Sequence, residues 1–206
     1  MLPRLTFRQS LAVAVVVTTM VAAGCGDRSG RTLDDPVFDP PEPPVVASTL
    51  PPEPAATIDL PLTLIASWVD GATVPGRQTC LGAGLSPALT WSNVPLGTVE
   101  LALSVVDVDA PDTVHWLAYA LPPSGTGLVE GELPAGGLEW PNSFGSNGFE
   151  PLCPPAGETH RYRFTLFALN QQLEVAEDAS ATEVISQLET TAIASASVSG
   201  LVTSDP

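Results

Sequence analysis

The chain has 206 residues, with 23 acidic side chains against seven arginines and no lysine. A formal net charge of −16 argues against a nucleic-acid binder and against a basic membrane-surface patch, since both need clustered Lys and Arg. Two histidines and three cysteines are too few for a zinc ribbon or an iron–sulfur cluster, and 44% apolar residues suffice for one sizeable core.

The first element in chain order is a targeting segment. Met1 to Arg8 carries Arg4 and Arg8 and no acid, and Leu11 to Ala23 is apolar but short of the roughly 20 residues a spanning helix needs. The segment ends in Ala22-Ala23-Gly24-Cys25. Small residues before a single Cys resemble the lipobox of bacterial lipoproteins, where the Cys takes a diacylglyceryl group and becomes the mature N-terminus. An ordinary signal peptide with an incidental Cys is the plainer reading. Charge, apolar length and Cys placement together favour lipidation at Cys25. Gly26 rather than Asp follows, so this resemblance implies no inner-membrane retention. The expected location is the bacterial cell envelope, lipid-anchored at the outer membrane. Loss of residues 1–24 removes two arginines and no acid, leaving five against 23, a net −18.

Residues 25–57 then read as a lipidated Cys followed by a tether. Gly26 to Thr57 holds eight prolines and six acids, a composition that resists both helix and central strand. Such a stretch extends at about 3.1 Å per residue and acts as a semi-rigid spacer. A docking motif for a Pro-binding module is the alternative.

Residues 58–206 are expected to form one domain. Strand-length runs fall at Leu60–Val69, Leu89–Trp91, Val99–Val106, His115–Leu121 and Arg161–Leu169, separated by Gly, Pro, Asn and Asp clusters. The last alternates, with Tyr162, Phe164 and Leu166 against Arg161, Arg163 and Thr165. Ala181 to about Val198 reads as the one helix, with Val184, Ile185, Leu188, Ala192 and Ile193 on a face, Asp178 or Ser180 as its cap and Gly200 as its stop. Strands followed by one late helix predict an all-β fold, an antiparallel β-sandwich with a C-terminal helix.

Asp107 and Asp109 close a strand, and His115 and His160 each open one. Starts and ends of antiparallel strands share a rim, so these four residues are placed to converge. The spacing equally allows the acids to be turn residues and each His to cap a strand.

Four segments in order resemble the phosphatidylethanolamine-binding protein family, in its bacterial Raf-kinase-inhibitor-like branch. They are Asp70-Gly71 with Val74-Pro75; Gly84-Leu85-Ser86-Pro87-Ala88-Leu89-Thr90-Trp91; Asp107-Val108-Asp109-Ala110-Pro111 followed by Val114-His115-Trp116; and Cys153-Pro154-Pro155 followed by His160-Arg161-Tyr162. The resemblance implies a Greek-key type β-sandwich and a small pocket for phosphate or a phosphorylated head group. Asp107, Asp109, His115 and His160 would line it, with Tyr162 nearby. An imidazole donates to a phosphate oxygen, and a carboxylate holds its tautomer or charge. From Ile58 onward three arginines face 17 acids, a net −14, so anion steering is poor and phosphate affinity should be weak. This chain departs from the family pattern at Val108, at Pro151-Leu152 and near Ala192, where the family His is absent.

A binding or regulatory module that needs no cofactor is therefore expected, with a small anionic or phosphorylated ligand and a lipid anchor. The rival readings are a protease inhibitor, a hydrolase using the His and Asp residues with a metal or with Ser86, and a ligand-free display protein. Cys80 and Cys153 remain once Cys25 is lipidated. An oxidising compartment and even parity favour a disulfide between them, and the family resemblance supports the pair. Two small buried thiols are the alternative.

Overall fold

In β7 (Thr159–Leu169), every second side chain is apolar, and the alternation sets its faces. Tyr162, Phe164 and Leu166 are fully buried, while Arg161 and Arg163 are exposed. The structure is a computed structural model that describes residues 60–206; the expected signal segment, Cys25 and the tether to Thr57 lie outside the described residues. The other strands are β1 (Thr63–Ala66), β2 (Leu89–Ser92), β3 (Glu100–Asp107), β4 (Val114–Leu121), β5 (Gly127–Leu128), β6 (Leu138–Glu139) and β8 (Ala192–Thr203), with one helix, α1 (Ala181–Thr191). They form a three-stranded sheet in the order β1-β2-β5 and a five-stranded sheet in the order β6-β4-β3-β7-β8. All pairings within both sheets are antiparallel.

The main core lies between the sheets, where Leu64, Leu89, Trp91 and Leu128 meet Leu101, Leu103, Val105, Phe164 and Leu166. The opposite face of the larger sheet is covered by α1, whose Ala181, Val184 and Leu188 pack on Ala102, Leu117, Phe167 and Leu169. Burying Val184 and Leu188 stabilises this packing by about 1.5–3 kcal/mol each. β3 is thus enclosed on both sides and all eight of its residues are buried, which explains why its sequence shows no alternation. A capping box starts α1. The Ser180 hydroxyl accepts the Glu183 N–H, and the Glu183 carboxylate accepts the Ser180 N–H at 2.8 Å.

The expected helix is shorter than its periodicity suggested, and it is not the last element. It stops at Thr191, and the chain continues directly as β8, paired with β7 from Leu169↔Ala192 to Thr159↔Thr203. Ser195, Ser197 and Ser199 alternate with Ala194, Ala196 and Val198, a period of two that suits a strand. The backbone hydrogen bonds offered by β7 outweigh the weak helix propensity of Ser and Val. Gly200 is therefore no helix stop. It sits opposite Tyr162 in β8, where an added Cβ would lie 2.3 Å from Val74 Cγ2 and 2.7 Å from Trp68 Nε1.

Candidate functional site

Antiparallel pairing sets Asp107, the last residue of β3, beside Tyr162 near the start of β7. Asp107 then reaches back one residue. The His160 Nδ1–H donates to Asp107 Oδ2 at 2.6 Å. Asp107 Oδ1 accepts the backbone N–H groups of Asp109 at 2.9 Å and Ala110 at 3.2 Å. Asp107 therefore closes its own turn and orients an imidazole. Asp109 faces the other way, its Oδ2 accepting the Arg161 N–H at 2.6 Å, so it fastens the turn to β7.

His115 arrives by a different device. The β3–β4 register passes from Val105↔Trp116 to Val106↔Val114, leaving His115 as the extra residue of a bulge. In a regular strand Val114 and Trp116 would share a face. Here Val114 joins the cluster under α1 and Trp116 the core between the sheets. The bulge lets His115 turn its ring edge to face onto Tyr162, with centroids 5.1 Å apart and planes at 90°. Its Nδ1–H donates to the Glu150 carbonyl oxygen at 3.1 Å, and Phe144 packs on the ring from outside at 5.2 Å. His160 lies 6.5 Å from the Tyr162 ring.

The two imidazoles differ in their preference for charge. Both ring nitrogens of His160 face carboxylates, Asp107 on one side and Glu158 Oε2 at 3.1 Å on the other. Only the imidazolium can donate to both. The Asp107 hydrogen bond, reinforced by Glu158, raises its pKa above the ordinary histidine value. His115 is 3% exposed, and burial lowers its pKa despite the Glu150 carbonyl. Burial first, then the Asp107 and Asp109 charges, hold the Tyr162 phenol protonated well above its usual range. The Tyr162 hydroxyl is buried and makes no well-formed hydrogen bond among the described residues, although the Asp107 carboxylate and the Cys153 backbone lie close enough to influence it. An unmade buried bond of this kind costs about 1–3 kcal/mol.

Asp107, His115, His160 and Tyr162 thus come together, and Asp109 supports them from the turn. Asp107 and His115 are deeply buried, at 4% and 3% exposed, while the His160 side chain keeps 12% exposure at the rim. Sequence reasoning missed Glu158, Phe144 and the Glu150 carbonyl. Glu158 stands two residues before His160 and could have been found by strand parity; nothing in the sequence marks the contact of Phe144 with a residue 29 positions away. Cys80 and Cys153 are joined, with Cα atoms 5.4 Å apart. Both are exposed, which sets aside the alternative of two buried thiols. Ser86 bonds neither imidazole among the described residues.

A two-sheet sandwich with one covering helix and a paired His–Asp cluster at the β3–β7 rim defines a small class of folds. The profile of phosphatidylethanolamine-binding proteins matches residues 65–203. The chain belongs to the phosphatidylethanolamine-binding protein family. A Mycobacterium tuberculosis protein that carries a lipoprotein name, LppC, is 39% identical over 180 residues, 85% of this chain and 87% of that protein. A Methanothermobacter thermautotrophicus UPF0098 protein is 39% identical over 139 residues, 64% of this chain and 91% of its own. Among solved structures, Escherichia coli YbcL, described as a member of the mammalian family, superposes with a TM-score of 0.64 at 29% identity, over 70% of this chain and 99% of that one. The Chlamydia trachomatis homologue CT736 gives a TM-score of 0.63 at 30% identity with the same coverage.

Proposed function

We propose that the cluster of Asp107, His115, His160 and Tyr162 binds a small anionic or phosphorylated ligand, and that the protein is a binding or regulatory module held at the cell envelope by lipid on Cys25. The observation that carries this reading is the Tyr162 hydroxyl, buried beside two imidazoles without a well-formed hydrogen bond of its own. A phosphate oxygen would satisfy it and would take the place of Glu158 at His160 Nε2. Glu158 is free to leave, since its side chain is 59% exposed. The imidazolium supplies the positive charge, Asp107 holds it in orientation, and neutral His115 offers its remaining nitrogen to a protonated ligand oxygen.

Titrating inorganic phosphate into histidine-labelled protein should move both imidazole signals together to saturation. Tyr162→Phe should weaken the response about two- to ten-fold, the worth of one neutral hydrogen bond, while raising the melting temperature by deleting the orphaned hydroxyl. Imidazoles that respond independently or not at all would refute the pocket. For the anchor, Cys25→Ser should leave the protein soluble or unprocessed, as read by mass; a Ser variant that is cleaved and still stays membrane-bound after high-salt washing would refute lipidation. No helix among the described residues is long and apolar enough to cross a membrane.

A further inference from the structure

A cavity of about 230 Å³ lies apart from the His–Asp cluster, walled in part by Trp116 and Phe149. These two rings meet edge to face at 84°, with centroids 5.9 Å apart, and make two sides of a corner. Glu139 lines the same space. Its Oε1 accepts the Trp116 indole N–H at 2.8 Å, and its Oε2 has no partner among the described residues. Ser86 also lines the cavity, and its carbonyl accepts the Gly131 N–H at 3.0 Å, which fixes that part of the wall. The rest of the wall includes Gly84, Gly131 and Gly148, with φ of 65°, 75° and 107°. Left-handed backbone favours glycine, so these positions keep the wall bare of side chains. A Cβ at Gly148 would stand 3.9 Å from both Glu139 oxygens.

We propose that this cavity binds a small organic ammonium ion. A carboxylate oxygen without a partner beside the perpendicular rings of Phe149 and Trp116 offers what a small alkylammonium needs: opposite charge and polarisable aromatic walls. The net −14 of residues 58–206 draws cations toward the domain and disfavours an anion here. A metal ion is poorly served, because no group of three His, Cys, Asp or Glu that could hold one exists among the described residues. The inference does not depend on the ligand of the His–Asp cluster.

The test uses the ¹⁵N-labelled chain titrated with tetramethylammonium chloride at constant ionic strength, and in parallel with tert-butanol, a neutral molecule of similar shape. The ammonium ion should shift the Trp116 indole N–H and the Gly131 and Gly148 amides saturably, at least ten-fold more tightly than tert-butanol. Glu139→Gln keeps an acceptor for the indole and removes the charge, and should weaken ammonium binding about ten-fold or more. Equal responses to the two probes, or no response to either, overturn the proposal. An ammonium response in Glu139→Gln equal to that of the unaltered chain overturns it as well. Should that variant fail to fold, the paired titrations of the unaltered chain decide alone.

Discussion

Replacing Cys80 and Cys153 together by alanine removes a link across 73 residues. Both residues are exposed, so little packing is lost with the sulfurs, and the effect is dominated by the freedom restored to the unfolded chain. For a loop of that length the chain-entropy account gives about 4 kcal/mol at 25 °C. Spread over about 150 folded residues, with an unfolding entropy of about 2.1 cal/mol/K per residue, this lowers the melting temperature by about 13 °C. The folded state resists the change locally, because Cys80 N–H donates to the Leu152 carbonyl at 3.4 Å and Leu152 N–H to the Gln78 carbonyl at 3.0 Å. Those bonds hold the two loops together once the chain has folded, so the loss should appear in the equilibrium and not in the fold. Scanning calorimetry on the oxidised protein and on the double variant, with an NMR fingerprint of each, makes the measurement. A fall of less than about 3 °C with an unchanged fingerprint would refute the entropic reasoning. A collapse of the fingerprint around His160 alone would instead make the bridge a brace for the loop that precedes it.

Two further outcomes follow from the geometry. His160 has its folded pKa raised, so its contribution to stability is complete below the unfolded histidine value near 6.5 and is lost as pH rises through the folded value. His115, with its pKa lowered, acts with the opposite sign, so the difference is what isolates His160: the melting temperature of the unaltered chain minus that of His160→Gln should fall as pH rises across that range, and parallel curves would refute the Asp107–His160–Glu158 pairing. Gly200→Ala places a methyl against Val74 and Trp68 and should cost about 1–3 kcal/mol of stability, read from the denaturant midpoint; an unchanged midpoint would mean that β8 shifts freely against the Trp68 loop.

Much of this protein is legible in the order of its residues. Alternation in Arg161–Leu169, the turn glycines and the strand-length apolar runs are local facts, and strand formation by half-buried alternating residues is a local response to them. The capping box of Ser180 and Glu183 is likewise local, and so is the set of motifs that placed the chain in its family. The site was legible less deeply: a strand end carrying Asp107 and strand starts carrying His115 and His160 only permitted a meeting on one rim, and the family motifs, not the spacing, singled these residues out. What the chain order left open depends on partners distant in sequence. Ala192–Thr203 has an apolar helical spacing and a Ser/Ala alternation at once, and only the open edge of β7 decided between them. The bulge that frees His115 comes from a register between β3 and β4 that neither strand encodes alone. The opposite charge preferences of the two histidines arise the same way: burial lowers the pKa of one imidazole, and two carboxylates, one distant in sequence and one flanking, raise that of the other.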